Sequence, residues 1–547
     1  MSWIKNNDVS FPDMRECFCL FFLRFSIKIK NMSNPLFEAI KETDNMTTTT
    51  NGMEAYKSSL NSVLDLFAKG ASYRKSANAI PTMVRDAYLE DKLATVRCLF
   101  YLRDIRGGQG EREVFRKGIH TVAELDPKTF INSNLISHIP TYGRWDDLFC
   151  LFGVHNELDE QIINLITLQL TEDVANYKED KPISIMAKWL PSVNTSSKKT
   201  RMIAKKLVKA LGITEKIYRK TLSKLRKRIN ILETYLTNKD YTFDYSTVPS
   251  NANMKYRKCF YEKDGERYRK HVEAVTDAFE SGDTTAKVKD NVKTLYPYEI
   301  VGKFMSNCSW CWNSPNLDKI EKQRLENMWK QLPNYFSGES GKKNWLTVID
   351  TSGSMLSGSN PSPMEVAISL GLYIGERNTG IFKDKFITFS ERPSFVTVDS
   401  KWKLETKIKH IVEKSIIANT NLERVFRLVL DAAVSHDLPK SEMPEAIVII
   451  SDMQFDSCVE DGNNPTAYKM ITEMYNDAGY PVPKIVFWNV AQQDYGNLPV
   501  TQHKHGAVLV GGCKPGLFEQ ILAGKTPLDF MMQVLNGERY SSIVLGE

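Results

Sequence analysis

Trp345-Leu346-Thr347-Val348-Ile349, running directly into Asp350-Thr351-Ser352-Gly353-Ser354, decides the fold of the second half of this chain. The apolar run reads as a strand, and it delivers one carboxylate and two hydroxyls into a tight, glycine-containing turn. An oxygen-only cradle of this kind suits a small hard cation. Mg2+ and Mn2+ favour octahedral oxygen ligation, so a carboxylate and two serine hydroxyls leave room for waters, further oxygens and a partner's carboxylate. Taken alone, Asp-x-Ser-x-Ser is a common pattern that also serves as a turn or a helix N-cap.

The spacing at a strand's C-terminal end resembles the metal-ion-dependent adhesion site (MIDAS) of von Willebrand factor A domains. The resemblance implies a Thr and an Asp from two later loops, and Thr420 and Asp452 stand where they are needed. Thr420 precedes a segment whose apolar residues Leu422, Val425, Phe426, Val429 and Leu430 recur at helical spacing. Asp452 follows Ala446-Ile447-Val448-Ile449-Ile450, a β-branched run that reads as a strand buried on both faces. Three loops at the carboxyl edge of one parallel sheet converge where open α/β sheets bind ligands. By the resemblance, Ser352, Ser354 and Thr420 coordinate the metal, while Asp350 and Asp452 act one step removed, the latter through water.

Enzymatic uses of the same residues lack a key group. An aspartyl-phosphate phosphatase needs a second Asp where Ser352 stands, and a nucleophile elbow needs a glycine two residues before its serine. A hydrolase with Ser352 or Ser354 as nucleophile and His503 or His505 as base has no spacing that joins them. Gly524-Lys525-Thr526 resembles the end of a phosphate loop, but Glu519 occupies the place of the earlier glycine. Gly108-Gln109-Gly110 fails the dinucleotide fingerprint at its third glycine. The chain is therefore expected not to be an enzyme.

Beyond Asn344, strands and helices alternate: strands at 345–349, 385–389, 446–450, 484–488 and 507–510, with helices near 363–377, 402–412, 467–477, Phe518 and Phe530. This is the pattern of an α/β, doubly wound (Rossmann-like) sheet. Residues 51–333 read instead as helices with short breaks, with stripes such as Leu60, Val63, Leu64 and Phe67. An all-α array of antiparallel helical hairpins, HEAT-like in architecture, is the natural expectation, although no fixed-period repeat shows. The expected organisation is multidomain: an extension and linker over 1–50, expected to be disordered, a helical domain over 51–336, a linker over 337–343, and the α/β domain over 344–547. Residues 1–31 read as a segment appended before Met32.

With 547 residues and 42% hydrophobic content, the chain can bury sizeable cores. Its longest early apolar stretch, Cys17–Leu23, is far shorter than a bilayer span, so no membrane insertion is expected. Nine cysteines, an odd number without disulfide-like spacing, fit reduced thiols and an intracellular, cytoplasmic setting. The close pair Cys308 and Cys311 lacks a second pair for zinc.

The net charge of +6 is mild for this length, but its distribution is not. Lys198, Lys199, Arg201, Lys205, Lys206, Lys209, Lys216, Arg219, Lys220, Lys224, Arg226, Lys227 and Arg228 fall in one short segment, opposed there only by Glu215. Phosphate neutralisation is the simplest use of that density, so nucleic acid is the expected ligand. Leu207, Leu211, Leu222, Leu225 and Ile229 can pack inward and leave the basic side chains on one outer surface. A solvated helical face in a protein-interaction scaffold without RNA is the competing expectation.

Arg103-Asp104-Ile105-Arg106-Gly107-Gly108-Gln109-Gly110-Glu111-Arg112 reads as a helix, a glycine turn and a charged helix start, with its ions placed to clamp the turn. Together with Gly143-Arg144-Trp145-Asp146-Asp147 and the C-terminal A-type domain, it resembles the TROVE module of Ro-type ribonucleoproteins, and more closely a Ro-like family of plants and large DNA viruses. Lys188-Trp189-Leu190-Pro191-Ser192, Tyr218-Arg219-Lys220, Val248-Pro249-Ser250 with Lys255-Tyr256, and Tyr296-Pro297-Tyr298-Glu299 match as well. The resemblance implies a ring of helical repeats closed by the A domain, structured RNA on the basic outer surface, and a protein partner presenting an exposed Asp or Glu to the metal site.

Overall fold

The computed structural model describes residues 35–282, 290–292, 294–305, 317–335, 344–356, 361–389, 393–415, 421–457, 464–521 and 524–546. The chain divides into two units, Met1–Thr47 and Thr48–Glu547. The first contributes one described helix, Pro35–Asp44.

In the second unit the residues up to 335 are mainly helical, as the apolar stripes predict. Helix ends carry side-chain caps. Asn61 accepts from the backbone N–H of Leu64 at the start of Ser62–Lys69, and Asp91 from that of Ala94 at the start of Lys92–Arg103. The helices Ile80–Glu90, Lys92–Arg103 and Arg112–Leu125 pack on one another through Val84, Leu99, Phe115 and Ile119, all fully buried. Leu232, Phe243, Tyr245, Phe260 and Tyr268 form a separate aromatic cluster farther along.

The second half folds around a six-stranded sheet. In chain order its strands are β1 Trp345–Asp350, β2 Lys385–Phe389, β3 Ser394–Thr397, β4 Ala446–Ser451, β5 Lys484–Asn489 and β6 Ala507–Gly511. Their order across the sheet is β3-β2-β1-β4-β5-β6, parallel throughout except for the antiparallel edge strand β3. Every residue of β1 and β4 is buried, so both faces are covered, which is why these strands carry unbroken apolar runs. The helix Pro363–Arg377 begins with a capping box between Ser362 and Glu365. It lies close on β1 because Gly371 faces Ile349: a Cβ there would come within 2.2 Å of Ile349 Cδ1. Strand β3 was not expected from the sequence. Only Val396 of its four residues is buried, so it carries no apolar run to betray it.

The helical stretch is fastened to the α/β part at both ends. Near its start, Asp104 takes two hydrogen bonds from Arg539, one from Tyr540 and one from the backbone N–H of Arg106. Lys514 Nζ donates to the carbonyls of Ile105 and Arg106, and Tyr142 donates its hydroxyl to the carbonyl of Arg539. Near its end, Trp329 Nε1 donates to Glu376 at 2.7 Å, and Glu326 accepts from the backbone N–H of Leu404 at 2.7 Å. One continuous core runs through both parts. The segment after Thr48, expected to be a linker, is also docked: Thr49 is buried and donates to Phe455 O, and Asn51 donates to Gln454 O.

Candidate functional site

Pairing in β1 and β4 sets Ile349 beside Ile450, so the residues that follow, Asp350 and Ser451, leave the sheet as neighbours at its carboxyl edge. Asp350 Oδ1 accepts from the backbone N–H of Ser352 at 2.9 Å, and its Oδ2 accepts from Ser451 Oγ at 2.5 Å. Ser451 Oγ in turn accepts from the backbone N–H of Met453. Ser352 Oγ and Ser354 Oγ lie 3.2 Å apart. Asp452 Oδ1 accepts from Gln454 N, while its Oδ2 is buried with no hydrogen-bond partner among the described residues.

The electrostatics of this cluster are unfavourable as it stands. Burial pushes Asp350 up to about 7, the charge of Asp452 adds to the shift, and hydrogen bonds from Ser451 and Ser352 only partly oppose it. Burial also raises Asp452, against the pull of the Ser354 hydroxyl and the Gln454 N–H. Two buried carboxylates with an unsatisfied oxygen, beside two hydroxyls, form a donor set that a small divalent cation fits. Among the described residues no group of three or more His, Cys, Asp or Glu gathers to hold a metal, so hydroxyl oxygens have to complete any such site.

Of the five residues assigned from the sequence, Asp350, Ser352, Ser354 and Asp452 come together, and Thr420 lies outside the described residues. Its neighbour Asn421 caps the helix Leu422–Ser435 through the N–H of Arg424. The pair Cys308 and Cys311 also lies outside the described residues. Two groups at the site had no sequence signal. Ser451 orients Asp350, and the half-buried Tyr495 is raised by burial and by the charge of Asp452. Met453, next in the chain, adopts a left-handed backbone (φ 65°) although it is not glycine. Gln454 ties the loop down on both sides, accepting from Thr50 N and donating to Asn497. His503 and His505 precede β6 and are exposed, at the opposite edge of the sheet from Ser352. Thr526 of the Gly524-Lys525-Thr526 stretch is a helix N-cap that accepts from Asp529 N.

The basic segment folds as two helices, Lys198–Ala210 and Glu215–Arg228, whose Leu207, Leu222 and Leu225 are buried as expected. Four of its cations are engaged by the fold. Lys206 pairs with Asp159 and lies over the ring of Phe152. Arg226 donates to the carbonyls of Ala187 and Leu190 and to Ser192 Oγ. Arg201 donates to Thr195 O, and Arg228 pairs with Asp180 at 2.9 Å. Lys198, Lys199, Lys205, Lys209, Lys216, Arg219, Lys220, Lys224 and Lys227 are exposed and have no partner among the described residues.

The other sequence motifs turn out to hold one another. Gly108 carries the turn back over Tyr101, whose carbonyl would lie 1.8 Å from a Cβ at that position. Arg103 and Arg116 both bind the buried Asp147, Arg144 stacks on Trp189 at 4.1 Å, and Tyr296 donates to Gln109 O. Arg103 and Arg144 are therefore structural clamps.

Two domain models of unknown function match the chain: DUF2828 over residues 49–152 and 153–339, more than half of its length, and DUF7788 over residues 344–536. The uncharacterized protein L728 of Acanthamoeba polyphaga mimivirus is 28% identical over 518 residues, covering 90% of this chain and 87% of the viral protein. Among solved structures, the RO (RSR) protein of Deinococcus radiodurans aligns over 87% of this chain and 93% of that one. The identity is 11% and the TM-score 0.32, too loose a likeness to transfer fold or function.

Proposed function

The chain belongs to the DUF2828 family, and from that premise we propose that it is a non-enzymatic RNA-binding scaffold with a metal-dependent protein-interaction site. Its helical part is an array of HEAT-like hairpins that binds structured RNA, and its α/β part is a domain of the von Willebrand A type. The observation that carries the RNA part is the set of nine exposed Lys and Arg side chains on two successive helices that have no partner among the described residues. Cations without internal partners neutralise phosphate at little cost, whereas a merely solvated face has no need to keep acids away.

For the second site, Ser352 and Ser354 would hold Mg2+ or Mn2+ directly, joined by Thr420, which precedes Asn421 in the chain, while Asp350 and Asp452 hold the ligating groups in place. Bound there, the cation would offer an open coordination position to a partner's Asp or Glu. What supports this is the unsatisfied Asp452 Oδ2 beside two hydroxyls and a second buried carboxylate.

Two measurements on the full chain test the two parts separately. Retention of structured RNA at moderate salt should be abolished by Lys205→Glu, Lys220→Glu, Lys224→Glu and Lys227→Glu together; unchanged retention would remove the RNA reading. Mg2+ should raise the melting temperature of the parent protein and not that of the Ser352→Ala, Ser354→Ala variant. At a hundredfold excess over the dissociation constant the stabilisation is about 2.7 kcal/mol. A parent protein indifferent to Mg2+ and Mn2+ would leave the cluster without a metal role.

A further inference from the structure

The basic segment is not a uniform surface. The helix Glu215–Arg228, the loop carrying Ser192 and Asn194, and the helix Leu232–Thr237 enclose an open groove of about 1070 Å³. Lys216, Arg219, Lys220 and Lys227 line it with a single acid, Glu215, and Asn194 offers neutral hydrogen-bonding groups. None of these four cations has a partner among the described residues. The lysines of the preceding helix, Lys198–Ala210, do not line the groove.

Its wall is built by the fold. Arg226 binds the carbonyls of Ala187 and Leu190 at 2.8 Å each and Ser192 Oγ at 3.0 Å, and the buried Tyr218 hydroxyl donates to Pro191 O at 2.9 Å. The loop is thereby tied to the helix that carries the cations, so the groove exists before any ligand arrives, which lowers the ordering cost of binding. From Lys216 to Lys227 the helix rises about 16 Å at 1.5 Å per residue, which spans several phosphates of a stacked strand at roughly 3.4 Å per nucleotide.

We infer that this groove grips a run of consecutive phosphates of an RNA strand, so that RNA is held in a preformed channel and not over the whole basic face. The inference rests on the RNA-binding reading above. It differs from that reading in making position, as well as charge, decide affinity.

The test compares equal charge removal at two places, with a fluorescently labelled RNA hairpin followed by anisotropy at moderate salt. The groove variant is Lys216→Gln, Arg219→Gln, Lys220→Gln, Lys227→Gln; the control is Lys198→Gln, Lys199→Gln, Lys205→Gln, Lys209→Gln. A third variant, Ser223→Trp, obstructs the groove and keeps every cation. The groove variant and Ser223→Trp should each lose about tenfold or more in affinity, and the control about threefold or less. Equal losses in the two charge variants, or wild-type affinity in Ser223→Trp, overturn the groove. Failure of the parent protein to bind any RNA overturns the RNA reading itself. Inorganic polyphosphate at matched phosphate concentration should compete more weakly than unlabelled RNA; equal competition would assign the groove to bare phosphate chains instead. Unfolding midpoints confirm that the variants fold, and the pair Lys220→Gln, Lys227→Gln repeats the comparison should the fourfold variant unfold early.

Discussion

Removing the Asp104 carboxylate should uncouple the start of the helical stretch from the C-terminal tail of the α/β part. Asp104 is 1% exposed and accepts four hydrogen bonds: two from Arg539, one from Tyr540 and one from the backbone N–H of Arg106. The Arg539 side chain is 41% exposed, so water can replace part of what it loses, and its share is discounted accordingly. The buried Tyr540 hydroxyl is left without its acceptor, at about 1–3 kcal/mol, while the N–H of the exposed Arg106 can turn to water at smaller cost. Asp104→Ala should therefore cost about 3–4 kcal/mol, near the lower bound for breaking a buried ion pair. Burial works to raise this carboxyl, but hydrogen bonds from Arg539 and Arg106 and the charge of Arg539 outweigh it and hold the group below the usual range. A depressed carboxyl contributes stability above its unfolded value and loses it as pH falls through the folded one. The gap between parent and variant should thus be full at neutral pH and close in acid, below about pH 4. Urea unfolding of parent, Asp104→Ala, Arg539→Ala and the double variant measures both the cost and the coupling. A loss below about 1 kcal/mol, or additivity of the two single changes, would refute the assignment of Asp104 as the link.

Two further outcomes are expected. Gly371→Ala places a methyl within 2.2 Å of Ile349 Cδ1 in a packed interface, so it should destabilise the protein by about 1–3 kcal/mol in urea unfolding; a neutral result would mean that the helix is not held this close to β1. Glu299 is pushed up to about 7 by burial, against the Tyr296 N–H and the charges of Lys303 and Arg74. The folded state then keeps a proton that the unfolded chain has released, so this group's contribution is full below pH 4.5 and lost as pH rises through 7. Glu299→Gln should flatten that slope and gain on the parent protein above neutrality, by at most about 3 kcal/mol. A stability difference that stays constant from pH 5 to 8 would contradict it.

How much of this was legible in the chain depended on whether the signal was local. Strands β1 and β4 are buried at every residue, and burial on two faces writes a continuous β-branched run that needs no knowledge of neighbours. Strand β3 buries only Val396, so it left no trace. The convergence of Asp350, Ser352 and Asp452 could be anticipated because parallel strands bring their carboxyl ends to one edge. Ser451 and Tyr495 could not, since a single polar residue after a strand or inside a loop looks like any other. The strap at Thr49 and Thr50 read as a linker because the partners of the two residues, Phe455 and Gln454, lie some four hundred residues away.

The basic segment draws the same division. Its residue types and amphipathic spacing, read alone, determined that two helices would turn their leucines inward and their cations outward. Only the tertiary structure decided which cations stay free: Lys206 meets Asp159 across 47 residues, and Arg226 meets the carbonyl of Leu190 across 36. Helical periodicity and strand burial arise from the repeat of the backbone and are written in adjacent residues. Whether a charge is paired depends on which distant groups share its desolvated surroundings, and that is settled only when the chain has closed on itself.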